Sequence, residues 1–281
     1  MKKQYDHNLM SSFLLYVDNK VLQQGEAYYD ASGLFYDVED VYKDRYTYAS
    51  PFKQMVSDFS VTGETNPTIM RSVYVDGVLH NIGDNGLLNI NHYKGTVNFD
   101  REVTGVISGN FSVKDVNVYL TTSSDQKLIF ETKFFQTPKF SQTMTGLGLS
   151  DLTLPAIFLK KRGGENDGFA LGGLDETIVD VRAIVVSDTQ YINDAVCSIL
   201  KDTKMKRFQT ITSGIPFDIR GAYTGVDYNY TGVTGLNASN PTILIKEVRE
   251  STLNSDGGAD SISNNLYVSF VDFELSQVRK H

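Results

Sequence analysis

Between Arg71 and Phe99 apolar and polar residues alternate. Val73, Val75, Val78, Leu88, Ile90, Val97 and Phe99 are spaced by polar positions, and the pattern is broken at Asp76-Gly77, Asn85-Gly86 and Lys94-Gly95. Alternation sends successive side chains to opposite faces of a strand. Asp-Gly and Asn-Gly tolerate the positive φ angles of tight type I′ turns, so the stretch predicts a β-meander of short antiparallel strands. Upstream lie two short apolar runs, Phe13 to Val17, which reads as a strand, and Leu34 to Val38. Downstream, Phe111 and Val113 alternate and the pattern resumes out of phase at Val116, Val118 and Leu120, which predicts a β-bulge within one strand. Behind the polar turn Thr121 to Gln126 lies a further apolar run, Leu128 to Phe134.

The stretch Gln136 to Ser150 is rich in Thr, Ser, Gln and Gly and contains Pro138, so a domain boundary is expected there. After it come a short apolar run, Leu154 to Leu159, a turn cluster, Gly163 to Gly168, and a Val/Ile-rich run, Ile178 to Val186, that reads as a central strand. Ser187-Asp-Thr-Gln190 matches a capping box, and Tyr191, Ile192, Ala195, Val196, Ile199 and Leu200 recur at helical spacing behind it. From Thr210 to Asn240 a glycine-, threonine- and tyrosine-rich stretch predicts a long loop or loose hairpins in contact with a partner. Thr242 to Val248 and Leu266 to Leu275 read as strands, and Ser251 to Asn265 between them as a mobile polar loop. The expected fold is mainly β with some α, an α+β chain. An antiparallel β-meander or sandwich occupies 1–137, a linker 138–150, and a mixed α/β domain with the long Gly/Tyr-rich loop 151–281.

The length, 281 residues, suffices to bury a core without disulfide staples. The net charge of −8 opposes tight packing on nucleic acid, whose phosphates require clustered cations. The two densest basic groups, Lys160-Lys161-Arg162 and Lys201 to Arg207, read as solvated ends of elements. A lone cysteine, Cys197, is compatible with a reducing compartment, and its place beside the helical stripe makes it a packing residue. No uninterrupted apolar stretch suits a signal-peptide core or a membrane span. His7, His80, His92 and His281 lack zinc-ligand spacing, and Asp256 to Asp260 lacks the ligand order of an EF-hand. Gly146-Leu-Gly148 has no phosphate-cradle context, and no serine sits in a Gly-x-Ser-x-Gly elbow. The reading is therefore of a protein without catalytic residues, cofactor or metal. A triad or carboxylate pair assembled from distant positions, as in a glycan or peptidoglycan hydrolase, stays open as a competing class.

Tyrosines crowd two regions, 28–48 and 223–230. A tyrosine ring packs while its hydroxyl finds a partner, which suits sheet packing and interfaces alike. Tyr28, Tyr29, Tyr36, Tyr46, Tyr48, Tyr223, Tyr228 and Tyr230 are the candidate subunit-interface residues.

Five segments carry a resemblance: Tyr74 to Gly77, Ile90 to Phe99, Leu154 to Leu159, Phe169 to Thr177 and Arg182 to Asp188. In scattered blocks they are similar to uncharacterised virion structural proteins of tailed bacteriophages. The resemblance implies a particle component made in the bacterial host cytoplasm, assembled by protein–protein contact without catalysis, and resident in the virion. The first expectation is a neck or tail-end ring at the head-to-tail junction. Its partners would be identical subunits in a symmetric ring and other virion proteins, with no membrane and no specific nucleic acid. A receptor- or carbohydrate-binding tail, fibre or baseplate module, or a capsid decoration protein, is the alternative. The absence of Trp weighs against a sugar-stacking platform.

Overall fold

In a computed structural model, residues 4–38, 45–52, 54–130, 154–170, 173–218, 223–235, 240–253 and 266–280 are described. The chain is β-rich, with two sheets and four helices among these residues. The elements run α1 (Tyr5–Gly25), β1 (Tyr28–Val38), β2 (Tyr46–Ala49), β3 (Ser72–Val75), β4 (Val78–Asn81), β5 (Leu87–Asn91), β6 (Thr96–Phe99), β7 (Ile107–Lys114), β8 (Asn117–Leu120), α2 (Asp125–Phe130), β9 (Ala156–Ala170), β10 (Leu174–Ser187), α3 (Gln190–Lys201), β11 (Arg207–Gln209), α4 (Tyr230–Thr234), β12 (Thr242–Thr252) and β13 (Tyr267–Lys280).

The seven-stranded sheet has the order β4-β3-β7-β1-β2-β6-β5. The predicted turns are present. Asp76 and Gly77 hold φ of 49° and 81°, and Asn85 and Gly86 hold 48° and 84°, the left-handed values that favour Asn, Asp and Gly. The meander itself is not continuous. Turn 76–77 joins β3 to β4 at one edge, while β5 and β6 pair at the opposite edge, with β7, β1 and β2 inserted between the two hairpins. Strand β1 bridges them by pairing with β7 along Tyr28 to Phe35 and with β2 along Tyr36 to Val38. Phe35, Met70, Val73, Phe99, Ile107 and Phe111 are among the buried residues of this sheet's core.

The six-stranded sheet, β11-β12-β13-β10-β9-β8, is antiparallel except for the β8–β9 pair. Both faces of its centre are covered. Val179, Val181, Ala183 and Val185 of β10 join the core that holds α1, whereas Ile184 and Val186 join Leu128 and Ile129 of α2. Ile178 to Val186 is thus the central strand that its two-faced apolar pattern predicted. The run Phe13 to Val17 is not a strand but the middle of α1. Twelve of the helix's residues, from Leu9 to Leu22, are buried, Ser11, Ser12, Asp18 and Asn19 among them, so it is enclosed nearly all round. Such a helix has no amphipathic stripe to read, and its short apolar run imitates a buried strand.

Three further local expectations are corrected. The out-of-phase pattern at 111–120 marks no bulge: β7 ends at Lys114, and β8 begins at Asn117 in the other sheet. The polarity shifts because the chain changes layers. Gly163 to Gly168 is no turn but the outer half of β9, with a register shift opposite Asp180 and Val181. A Cβ at Gly164 would lie 2.7 Å from the Ile178 carbonyl oxygen, so glycine permits a close backbone approach there. The cap of α3 is Thr189, whose hydroxyl accepts the Ile192 N–H at 3.3 Å, while Ser187 donates to the Thr189 carbonyl. The helix itself lies where its period predicted.

The expected linker, 138–150, lies outside the described residues, as do Gly146 to Gly148 and most of the loop 251–265. The elements on either side do not divide there. Helix α1 and strand β8 precede it in sequence and pack with the six-stranded sheet.

Candidate functional site

The eight candidate tyrosines separate into two groups. Tyr29, Tyr36 and Tyr46 are exposed at the seven-stranded sheet, and Tyr28 is half-buried, its hydroxyl donating to the Thr65 carbonyl at 2.8 Å. Tyr48, Tyr228 and Tyr230 are buried within the chain, and Tyr223 packs half-buried against the core that contains the last two. The segment 223–235 is therefore no exposed partner loop: with α4 it closes the core over α1. The Tyr48 hydroxyl accepts the Val103 N–H at 2.8 Å, which ties a loop to the sheet. A ring enclosed by its own chain has no face left for a neighbour, so of the eight only the first group presents ring surface outward.

The inner group surrounds a buried ion pair. Lys114, at the end of β7, places its ammonium 2.7 Å from Asp18 on α1, with both side chains 1% exposed. The Tyr230 hydroxyl donates to the same carboxylate oxygen at 2.5 Å, and the ammonium lies 4.8 Å from the centre of the Tyr228 ring. Burial pulls the Lys114 pKa down, and Asp18 opposes that shift. Burial, together with the Asp18 charge, pushes the Tyr228 and Tyr230 hydroxyls well above their ordinary values. The arrangement joins the first sheet to the helix of the second, because an ion taken from water must keep its partner. Beside it His92 is buried, its Nε2 3.0 Å from the Met70 carbonyl and its Nδ1 3.8 Å from Asp227, which pairs with Arg71. Desolvation lowers the His92 pKa to about 4 against the smaller opposing pull of the Met70 carbonyl and Asp227, so the ring is neutral at neutral pH.

The outer face of the seven-stranded sheet has a different character. Leu79 lies opposite Tyr74, Tyr74 opposite Ser108, and Ser108 opposite Leu34, so these four side chains form one row across β4, β3, β7 and β1. Leu79 is 49% exposed and Leu34 43%. Tyr36, two residues beyond Leu34, continues the apolar surface along β1. The neighbouring pairs Ser72–Asn81 and Ser32–Asn110 are polar but uncharged. Strand β4 is the sheet's edge and contains neither Lys nor Pro, the side chains that commonly guard an edge against pairing. The outer face of the six-stranded sheet, by contrast, is covered with ion pairs. Arg182 grips Asp272 through two bonds of 2.7 Å and Asp125 at 3.0 Å, and Lys246 bridges Glu176 and Glu274.

The first basic group found in the sequence is engaged locally, and so is one residue of the second. Lys160, Lys161 and Arg162 pair with Asp125, Asp6 and Asp272, and Lys201 with Glu250. Cys197 is fully buried, its thiol pushed up to about 12 by burial, which suits a packing residue. Among the described residues no three of His, Cys, Asp or Glu are placed to hold a metal ion, and no helix is long and apolar enough to cross a membrane. Asp256 to Asp260 and His281 lie outside the described residues. The row across the sheet was missed in the sequence because pairing between strands distant in the chain assembles it. Its one local signal was Leu79, an apolar residue on the polar phase of a short hairpin. No family model and no curated protein matches the chain.

Proposed function

We propose that the protein is a structural component of a tailed-phage virion that acts by protein–protein assembly without catalysis, its station a neck or tail-end ring at the head-to-tail junction. The observation that carries the assembly reading is the Leu79–Tyr74–Ser108–Leu34 row beside the unguarded edge of β4. Covering each half-exposed leucine contributes on the order of 1 kcal/mol, so the row is the centre of an interface rather than the whole of one. The charge pattern supports identical neighbours. Subunits of net charge −8 repel one another, and the row with its flanking Ser72–Asn81 and Ser32–Asn110 pairs, which itself carries no carboxylate, is where two copies meet at least cost. The phage attribution rests on the resembling segments, of which Leu154 to Leu159 opens β9 and Arg182 to Asp188 closes β10.

Light scattering coupled to size exclusion, over a concentration series, tests this reading. A discrete multi-subunit species is expected, with Leu79→Lys and Leu34→Lys shifting it to monomer while the far-UV circular dichroism is unchanged. A strict monomer at every concentration sinks autonomous ring formation. An oligomer indifferent to both substitutions removes the interface from this face.

A further inference from the structure

Where the chain crosses from β7 to β8, and so from one sheet to the other, a cleft of about 440 Å³ opens between the C-terminal end of α1, one flank of α3 and the crossing itself. Junctions between layers are favoured places for binding sites. The apolar stripe that predicted α3 is wider than the core requires. Val196 and Leu200 are buried, while Tyr191, Ile192, Ala195 and Ile199 line the cleft, Tyr191 being 85% exposed. Tyr29 and Phe52, whose rings meet edge to face, stand in the same lining.

Two carboxylates, Asp115 and Asp188, interrupt this apolar surface. Neither has an ion-pair partner or a side-chain hydrogen bond among the described residues. Lys114 also borders the cleft, but its ammonium is committed to Asp18 at 2.7 Å. Burial raises the Asp115 carboxyl above its ordinary value, as expected of a charge beside apolar groups without a counter-ion. Elsewhere on the surface Lys160, Lys161, Arg162 and Lys201 each have an acidic neighbour, so none of these paired cations is shared with the cleft.

We propose that the cleft binds an arginine side chain flanked by apolar residues on a segment of a partner protein. The guanidinium meets Asp115 and Asp188 and stacks on a tyrosine face, and the flanking apolar side chains lie along the outward stripe of α3. Charge complementarity selects a basic partner segment over a second copy of this acidic chain. The inference does not depend on the virion reading, since a cleft for a basic segment serves any assembly or recognition protein.

The test is calorimetric titration of the full chain with a short capped peptide carrying one arginine between two leucines, and with the same peptide carrying citrulline, its neutral isostere. The arginine peptide is expected to bind roughly tenfold or more tightly, the effect of about 1.4 kcal/mol. Asp115→Asn combined with Asp188→Asn should erase that difference while leaving the thermal transition in place. Ala195→Trp, which fills the cleft from an exposed helix position, should abolish binding of both peptides. Equal affinity for the two peptides overturns the charge assignment. Binding that survives Ala195→Trp, or no binding of either peptide by the unsubstituted chain, overturns the site. Displacement of the peptide when the chain self-associates would identify a second copy as the occupant and overturn the choice of partner.

Discussion

The two sheets bury apolar surface in different ways. The six-stranded sheet packs α1 and α3 on one face and α2 against part of the other, and covers the remaining outer surface with paired charges such as Arg182–Asp272. The seven-stranded sheet is assembled mostly from strands of four or five residues, buries its inner face, and leaves Leu79, Leu34 and Tyr36 half-exposed outside. A sheet packed on a helix that is enclosed nearly all round can satisfy its hydrophobic residues within one chain. A one-sided sheet cannot, and what it leaves uncovered is available to a neighbour. The first layer thus keeps uncovered apolar surface and the second charged, locally paired surface, with Lys114–Asp18 tying them together.

Breaking that tie should have the largest effect. Lys114→Ala leaves the Asp18 carboxylate buried without its cation and is expected to cost about 3–5 kcal/mol, read as a lower urea midpoint. Replacing all three members, as Asp18→Leu with Lys114→Met and Tyr230→Phe, should recover most of the loss, because the Tyr230 hydroxyl would otherwise lose its acceptor. If the single substitution is silent, the two layers are not joined at this point. Phe13→Ala tests the wrapped layer alone. Its ring meets Phe208, Phe273 and Tyr16, and its removal should cost about 3–5 kcal/mol, near the same size but without rescue by a second substitution.

The pH response sharpens the junction further. His92 is neutral in the fold with a pKa of about 4, whereas the unfolded chain takes up its proton near 6.5. The unfolded state therefore binds more protons between these values. The stability from this group is present above pH 6.5 and is lost as the pH falls through about 4. Denaturation midpoints from pH 7.5 to 4 should decline, and His92→Gln should flatten the part of the curve above pH 5. A smaller effect is expected at the α3 cap: Thr189→Ala removes the acceptor for the Ile192 N–H and should cost about 1 kcal/mol, with no change in the oligomer. Smallest for the monomer is Leu79→Lys, at an exposed position where the change should stay within about 0.5 kcal/mol, so any large consequence must come from assembly.

Much of the local structure was legible. Alternation and the Asp-Gly and Asn-Gly pairs located β3 to β6, the 3.6-residue period located α3, and two-sided apolarity identified β10 as central. Interior position was not legible. Phe13 to Val17 imitates a strand because a helix buried on every side shows no periodic polarity, and 111–120 imitates one bulged strand because a change of layer produces the same phase slip. Among the candidate tyrosines, composition could not separate Tyr36, which faces solvent, from Tyr230, which lies against Asp18. The ring chemistry is the same, and only the surroundings differ.

The amino-acid sequence by itself determined which segments turn, which alternate and which helix is amphipathic, because these depend on φ preferences and on periods of two or 3.6 residues. Tertiary structure alone decided which hairpin took which edge, that α1 lies at the centre of the second layer, and which polar groups meet. Lys114 and Asp18 are 96 positions apart, and Leu79 and Leu34 reach one row only through two intervening strands. Such pairings are set by the joint burial of the whole chain, and no local stretch of sequence contains that information.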